Sequence, residues 1–284
     1  MNAADRHPIE IKLSISASGM IGILMLALSC VAGSAKAQED STSLEAIVKA
    51  DLSTSWQHAG TFFTAPLHFN QTDWFITGSI LGGTALLFTA DPSVRTFAQR
   101  NRSDGGDNVS NVIQGYGQPV YGVGVAAGLY IGGCALKNSG MRTTAVMILE
   151  SMAFAGITTT VIKTLAGRSR PYLEEGQYRF SGMQFNTDHT SLPSGHSTVA
   201  FSISSVLAER LHNVYASVGL YSLAAAVMGA RIYNDEHWLS DTFLGAAIGT
   251  ASGIAVAHYH EKSTDEVSVS IIPMGDRIGI YVVF

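Results

Sequence analysis

Apolar residues in this chain gather into long runs divided by polar stretches. The runs fall at 75–90, 120–136, 144–162, 197–208, 214–230 and 238–258. A half-buried strand alternates with a period of two, and none of these runs does. All are rich in Gly, Ala, Ser and Thr, which lets helix backbones approach closely. The pattern predicts an all-α protein, a bundle of six helices. Ahead of it, 38–73 is mixed and polar, with an amphipathic helix over 43–56 that places Leu44, Ile47, Val48 and Leu52 on one face. Behind it, 267–273 and 278–284 carry β-branched residues around the turn Met274-Gly275-Asp276-Arg277, which reads as a β-hairpin. One hairpin cannot close a barrel, so it is expected to pack on the bundle.

The N-terminus changes this picture. Arg6 and Lys12 precede an apolar stretch from Gly19 to Val31, and Ala35-Lys36-Ala37 offers small residues where a signal peptidase reads them. The expected organisation is a signal peptide at 1–37, an N-terminal helical and polar segment at 38–73, a helical core at 74–262 and a hairpin tail at 263–284. Removing 1–37 takes away Arg6, Lys12 and Lys36 against Asp5 and Glu10, leaving a more acidic chain. No basic stripe argues for nucleic acid. Cys134 is then the one cysteine left, inside an apolar run, and reads as a small core residue.

Hydrophobic residues make up 46% and charged residues 14%, and the mean hydropathy is +0.22. That lies between a soluble protein and a polytopic membrane protein. A span needs about 20 apolar residues. The run at 197–208 is short, Glu150 interrupts 144–162, and Asp241 stands near the start of 238–258. With an exported N-terminus, three spanning helices would put Lys163 on the cytoplasmic side. The expectation is therefore an exported bundle of the bacterial cell envelope, periplasmic or membrane-associated, in which some helices do not span.

Three clusters carry candidate chemistry. His237 and Asp241 are four apart at the start of an apolar helix, so they share a face. Asp241 can accept the Nδ1 hydrogen and leave Nε2 as a nucleophile. Alone, the pair would read as a surface ion pair. Pro193-Ser194-Gly195 ends a polar loop before a helix starting near His196, and a helix N-terminus cradles anions through its free amides. His196 stands where it can protonate a leaving oxygen. Alone, the cluster would read as a capping turn. Lys163, Arg168, Arg170 and Arg231 supply charge at helix ends, where cations also balance the macrodipole. In an up-down bundle Lys163, His196, Arg231 and His237 all fall at one end.

The spacing Lys163, six residues, Arg170-Pro171; Pro193-Ser194-Gly195-His196; Arg231, five residues, His237, three residues, Asp241 resembles the type-2 phosphatidic acid phosphatase superfamily. That superfamily includes membrane lipid phosphatases and bacterial class A acid phosphatases, and vanadium haloperoxidases share its site. The likeness spans roughly 70–260, with Ala230 where the family often has Ser. It implies that His237 attacks phosphorus, that Asp241 orients it, and that His196 protonates the leaving alcohol and then activates water. It implies that Lys163, Arg170, Ser194, Gly195 and Arg231 hold the phosphate oxygens, with no metal and no cofactor. No other His, Asp and Glu cluster in the sequence looks like a ligand set. The expected activity is phosphate monoester hydrolysis through a phosphohistidine, with a lipid phosphate or lipid-linked diphosphate favoured. The alternatives are a non-specific periplasmic acid phosphatase acting on small esters and a vanadium-dependent haloperoxidase.

Two connectors complete the reading. Segment 172–192, with Tyr172, Glu174, Glu175, Arg179, Phe180, Phe185 and His189, either shapes substrate access or faces water. Segment 91–118 is expected to be a loop whose Arg95, Arg100 and Arg102 face solvent or anionic head groups.

Overall fold

The computed structural model describes residues 43–264 and the backbone of two strands, 268–274 and 277–283. The helices are α1 (Leu44–Thr64), α2 (Gln71–Leu87), α3 (Asp91–Arg100), α4 (Asp104–Ile113), α5 (Pro119–Ala135), α6 (Ser139–Ala166), α7 (Gly195–Leu211), α8 (Val214–Tyr233) and α9 (Leu239–Thr264). Each apolar run became a helix. Ser43, Asn70, Ser103, Asn138 and Asn213 start α1, α2, α4, α6 and α8 by accepting first-turn amides through their side chains. At the other end of α6, Gly167 sits at φ 59°, the left-handed conformation that ends helices and favours glycine.

Helix α7 is the centre of the bundle, packed most extensively on α9 and then on α8 and α6. The reason is legible on α9. Gly245, Gly249 and Gly253 recur every four residues and face Ser194, Thr198, Ser202 and Ser205 of α7. A methyl on Gly245 would stand 2.5 Å from the Ser194 carbonyl oxygen, and one on Gly253 2.5 Å from Ser205 Cβ. Glycine therefore sets the close approach of the two helices that carry His196 and Asp241. The core around α7 is small and apolar, with Ala126, Ala145, Ile148, Ala200, Val206, Ala224, Val227 and Val256 buried.

Two expectations are corrected. Segment 91–118 is mostly helical. Asp91 and Ser103 open α3 and α4, and both helices pack on α8. Arg95 does not face water freely, because its guanidinium pairs with Asp235 through two 2.7 Å hydrogen bonds. The glycines and charges of this segment hid helices that tertiary contacts hold in place. The N-terminal helix also runs further than expected, to Thr64, and Leu44 and Leu52 remain exposed. Its one buried side chain is His58.

Three described helices are long and apolar enough to cross a membrane: Ser139–Ala166, Val214–Tyr233 and Leu239–Glu261. They run past the apolar stretches into polar residues such as Arg142, Lys163, Arg231 and Glu261. Helix α7, at 17 residues, is not among them. In the tail, Ser268–Met274 pairs antiparallel with Arg277–Val283, with Ser268 opposite Val283. The signal segment at 1–37 lies outside the described residues, as do the side chains by which the tail is expected to pack.

Candidate active site

All three clusters meet at one end of the bundle. Lys163 lies in the last turn of α6, His196 in the first turn of α7, Arg231 in the last turn of α8, and His237 two residues before α9. Electrostatic coupling ties them together: His196 feels Arg231, Lys163 and Arg170, and His237 feels Lys163, Asp241 and Arg170. Helices α6 and α8, which end near Lys163 and Arg231, both pack on α7, which carries His196.

The anion cradle differs from the capped starts of α1, α2, α4, α6 and α8. Ser194 is the N-cap of α7, yet its side chain makes no capping hydrogen bond. Its hydroxyl instead accepts from Ser197 Oγ at 3.1 Å. The first-turn amides of α7 are thus not satisfied by a cap and are available to an anion. The position a Cβ would take on Gly195 has nothing within 4 Å, so the backbone there borders open space. The Ser194 amide donates to the Asp241 carbonyl at 2.9 Å and locks the cradle to α9.

His237 and Asp241 are close, but not as the spacing suggests. His237 precedes the helix, and its Nδ1 lies 3.7 Å from Asp241 Oδ2, beyond hydrogen-bond reach. Ser191 stands at the junction. Its hydroxyl donates to Asp241 Oδ2 at 2.5 Å and is 3.4 Å from His237 Nδ1. Asp241 Oδ2 also accepts the Trp238 amide at 2.9 Å, so the carboxylate caps the helix that carries it.

Arg168 holds the other side of Asp241. It is fully buried, and its Nη1 donates to Asp241 Oδ1 at 2.5 Å and to Ser240 Oγ at 2.7 Å. Its Nη2 donates to Asp91 Oδ2 at 2.7 Å, and Ser240 Oγ donates to Asp91 at 2.6 Å. The Phe88 ring covers the guanidinium at 4.3 Å, with Trp238 and Phe180 at 5.5 and 5.6 Å. One buried cation between two buried carboxylates leaves few unsatisfied donors. Arg168 therefore supports Asp241 from behind and is not a free cation at the mouth. Sequence reasoning found Arg168 as a loop charge but missed Asp91, Ser191 and Ser240, which carried no motif.

Arg170 and Arg231 face each other across Glu236. The Glu236 carboxylate pairs with the Arg170 guanidinium and lies 3.3 Å from Arg231 Nη2. Arg231 Nη1 donates to Gln114 at 2.6 Å, and its buried Nε has no hydrogen-bond partner. Glu236 is half-buried and is more exposed than either arginine it pairs with. In segment 172–192, Phe180 packs over Arg168, Glu175 accepts from Ser169 at 2.6 Å and Tyr172 donates to Asp188 at 2.6 Å. The segment forms one wall of the site.

Both site imidazoles are neutral. Burial pulls His237 down to about 3, reinforced by Lys163 and Arg170 and opposed by Asp241. Burial and the cations Arg231, Lys163 and Arg170 pull His196 down to about 4. A neutral His237 keeps a lone pair for attack. Neutral His196 lacks the proton that a general acid must give, and an anion among the three cations would reverse the field that depresses it.

Residues 144–265 match the model of the PAP2 superfamily. Over that segment, less than half of the chain, the protein is similar to the PAP2 superfamily. Over 81 residues the chain is 35% identical to a lipid A 1-phosphatase of Porphyromonas gingivalis; the match covers 28% of this chain and 18% of that relative. The chain thus spans less than a fifth of the curated relative it matches. Among solved structures, a transmembrane PAP2-type phosphatidylglycerolphosphate phosphatase from Bacillus subtilis aligns over 65% of this chain and 95% of its own, at TM-score 0.53 and 19% identity. Aquifex aeolicus LpxE aligns over 60% and 96%, at TM-score 0.48 and 19% identity. The Bacillus structure shares the fold. The matched segment holds Lys163, the cradle, Arg231, His237 and Asp241, and α1 to α5 lie ahead of it.

Proposed function

We propose that the protein is a phosphatase embedded in the cell envelope that hydrolyses the phosphate ester of a lipid through a phosphohistidine. The observation that carries this reading is the meeting of two neutral imidazoles with Lys163, Arg170 and Arg231 at one end of the bundle. Substrate phosphate takes the place of the Glu236 carboxylate between Arg170 and Arg231. Its oxygens meet the α7 amides, the Ser194 hydroxyl and Lys163. His237 Nε2 attacks phosphorus and its Nδ1 hydrogen is steadied by Asp241 through Ser191. The ester oxygen leaves with a proton from His196, whose affinity for it rises as the phosphate enters. His196 then takes a proton from water, and the oxygen so activated cleaves the P–N bond. Cations hold the charge that develops on the equatorial oxygens.

The position of the site supports a lipid substrate. It opens at the ends of helices long and apolar enough to cross a membrane, and the outer faces of the bundle expose Trp74, Phe75, Leu86, Val120, Ile131 and Ile157. An apolar belt of this size marks contact with lipid or a partner. A site at the end of such a belt reaches head groups at the membrane surface.

The test is phosphate release by the purified full chain in detergent. Phosphatidate, phosphatidylglycerol phosphate, lipid A, a polyprenyl diphosphate and a nucleotide would be compared. A lipid preference and an acid-labile phosphoenzyme, both lost in His237→Ala, are expected. Equal turnover of the nucleotide would favour the soluble-ester reading. Vanadate-dependent bromination without phosphate release would sink the phosphatase reading.

A further inference from the structure

The bundle carries a second group of buried ionisable side chains, far from the first. His58 of α1, Glu150 of α6 and His260 of α9 bring one ligand atom each to within 4.8 Å of one another. His58 Nδ1 is 3.1 Å from Glu150 Oε2, and His260 Nε2 is 3.0 Å from the same oxygen. The two imidazole centroids are 4.6 Å apart, edge to face. Along α6, Glu150 precedes Lys163 by 13 residues, roughly 20 Å at the helical rise. The group is therefore separate from the phosphate site.

Its electrostatics are incomplete. Among the described residues the two histidines form the ion pairs to Glu150 and Ser55 adds a side-chain hydrogen bond, but no Lys or Arg pairs with it. The other carboxylate oxygen, Oε1, is buried without a hydrogen-bond partner. A buried carboxylate is costly unless its charge is balanced, and an ionisable group at membrane depth is seldom kept without a use. Hydrogen bonding accounts for Oε2 and leaves Oε1 orphaned.

We propose that His58, Glu150 and His260 form a structural zinc site. Two imidazole nitrogens and one carboxylate are a recurrent zinc donor set. Tetrahedral zinc with bonds of about 2.0–2.1 Å sets neighbouring donor atoms about 3.3 Å apart, close to the separations seen. Small movements of the side chains admit the ion, and Oε1 gains a positive neighbour. Magnesium and calcium prefer all-oxygen shells and fit two imidazoles poorly. The fourth position is left for water or another donor.

The site would clip α1 to the bundle. His58 is the one buried side chain of α1, while Trp56 and Phe63 on the same helix are exposed. Apolar burial holds this helix weakly, and a metal bond between α1, α6 and α9 supplies what packing does not. The sequence showed no such ligand set because its members are 92 and 110 residues apart.

The experiment is a cobalt titration of the full-length protein in detergent after chelation. We expect one equivalent of Co2+ per chain, visible absorption of a four- or five-coordinate ion, and its displacement by Zn2+. Zinc should also raise the melting temperature. His58→Asn, Glu150→Gln and His260→Ala should each abolish the band and the shift, while His237→Ala retains both. No cobalt band in the wild type, a band that survives all three substitutions, or a melting temperature indifferent to zinc would overturn the proposal. Should the variants fail to fold, X-ray absorption of zinc bound to the wild type decides. Two imidazole nitrogens and oxygen support the site, and any other shell overturns it. Phosphate release at 25 °C by the zinc-free chain is a separate reading, so failure of the metal site leaves the phosphatase assignment untouched.

Discussion

Two carboxylates, Asp241 and Glu150, are buried in the same bundle beside histidines, and they are balanced differently. Asp241 has Arg168 at 2.5 Å, a helix amide and a serine hydroxyl. Glu150 has two imidazoles on Oε2, a hydrogen bond from Ser55 and no fixed cation. The first arrangement supplies its positive charge from a fixed guanidinium, so His237 can remain neutral, as the proposed attack on phosphorus requires. The second has no fixed cation, and its charge must come from a proton or a metal ion. A His–carboxylate pair therefore takes its chemistry from what neutralises the carboxylate.

The comparison can be broken most severely at its catalytic member. His237→Ala should reduce phosphate release by at least about a thousandfold, because the covalent step has no other nucleophile. Single-turnover kinetics on a lipid phosphate would measure it. Arg168→Met should leave Asp91 and Asp241 without their shared cation. A loss of about 3–5 kcal/mol in stability is expected, together with activity lost at all temperatures. A denaturation series in mixed micelles measures the first effect. If Arg168→Met is as stable as the parent, the guanidinium is not the balancing charge.

Geometry and pH sharpen the same contrast. Gly249→Ala places a methyl against the α7 backbone at Thr198 and Ser202, and overpacking of this kind should cost about 1–3 kcal/mol. The change would be read from the melting temperature, with kcat falling alongside as His196 and His237 move apart. Acidification should also weaken the fold. In the unfolded chain the two histidines take up protons near 6.5, but in the folded chain only near 4 and 3. The unfolded state then binds more protons between those values. The stability that depends on the neutral forms is whole above 6.5, and it falls as the pH drops through 4 towards 3. Melting curves against pH would show this, and saturating phosphate should shift the His196 titration upwards in NMR.

The smallest expected effect concerns Glu236. Glu236→Gln removes the internal anion that competes for Arg170 and Arg231, so KM and the inhibition constant of inorganic phosphate should fall by up to about fivefold. The kcat should change little. A rise in KM would show that Glu236 instead helps to hold the substrate.

Much of the fold was open to inspection in the chain itself. The runs were too long and too evenly apolar for strands, and each became a helix within a few residues of its bounds. Lys163, Arg170, Ser194, Gly195, His196, Arg231, His237 and Asp241 could be singled out because their spacing put them at helix ends. The helices at 91–100 and 104–113 could not, since charges and glycines mask a local pattern that tertiary contacts stabilise. Asp91, Ser191 and Ser240 carried no motif, and a buried network is a property of contacts among distant residues.

By itself the sequence determined the helices and a list of candidate site residues, because a hydrophobic period and the chemistry of end positions are local. Tertiary structure alone decided that Ser191 and Arg168, and not a direct hydrogen bond, hold Asp241 against His237. It likewise decided that Glu236 occupies the space between Arg170 and Arg231, and that His58, Glu150 and His260 meet. The physical reason is common to all three: burial and pairing depend on which distant side chains share a dry volume, and no window of sequence contains them.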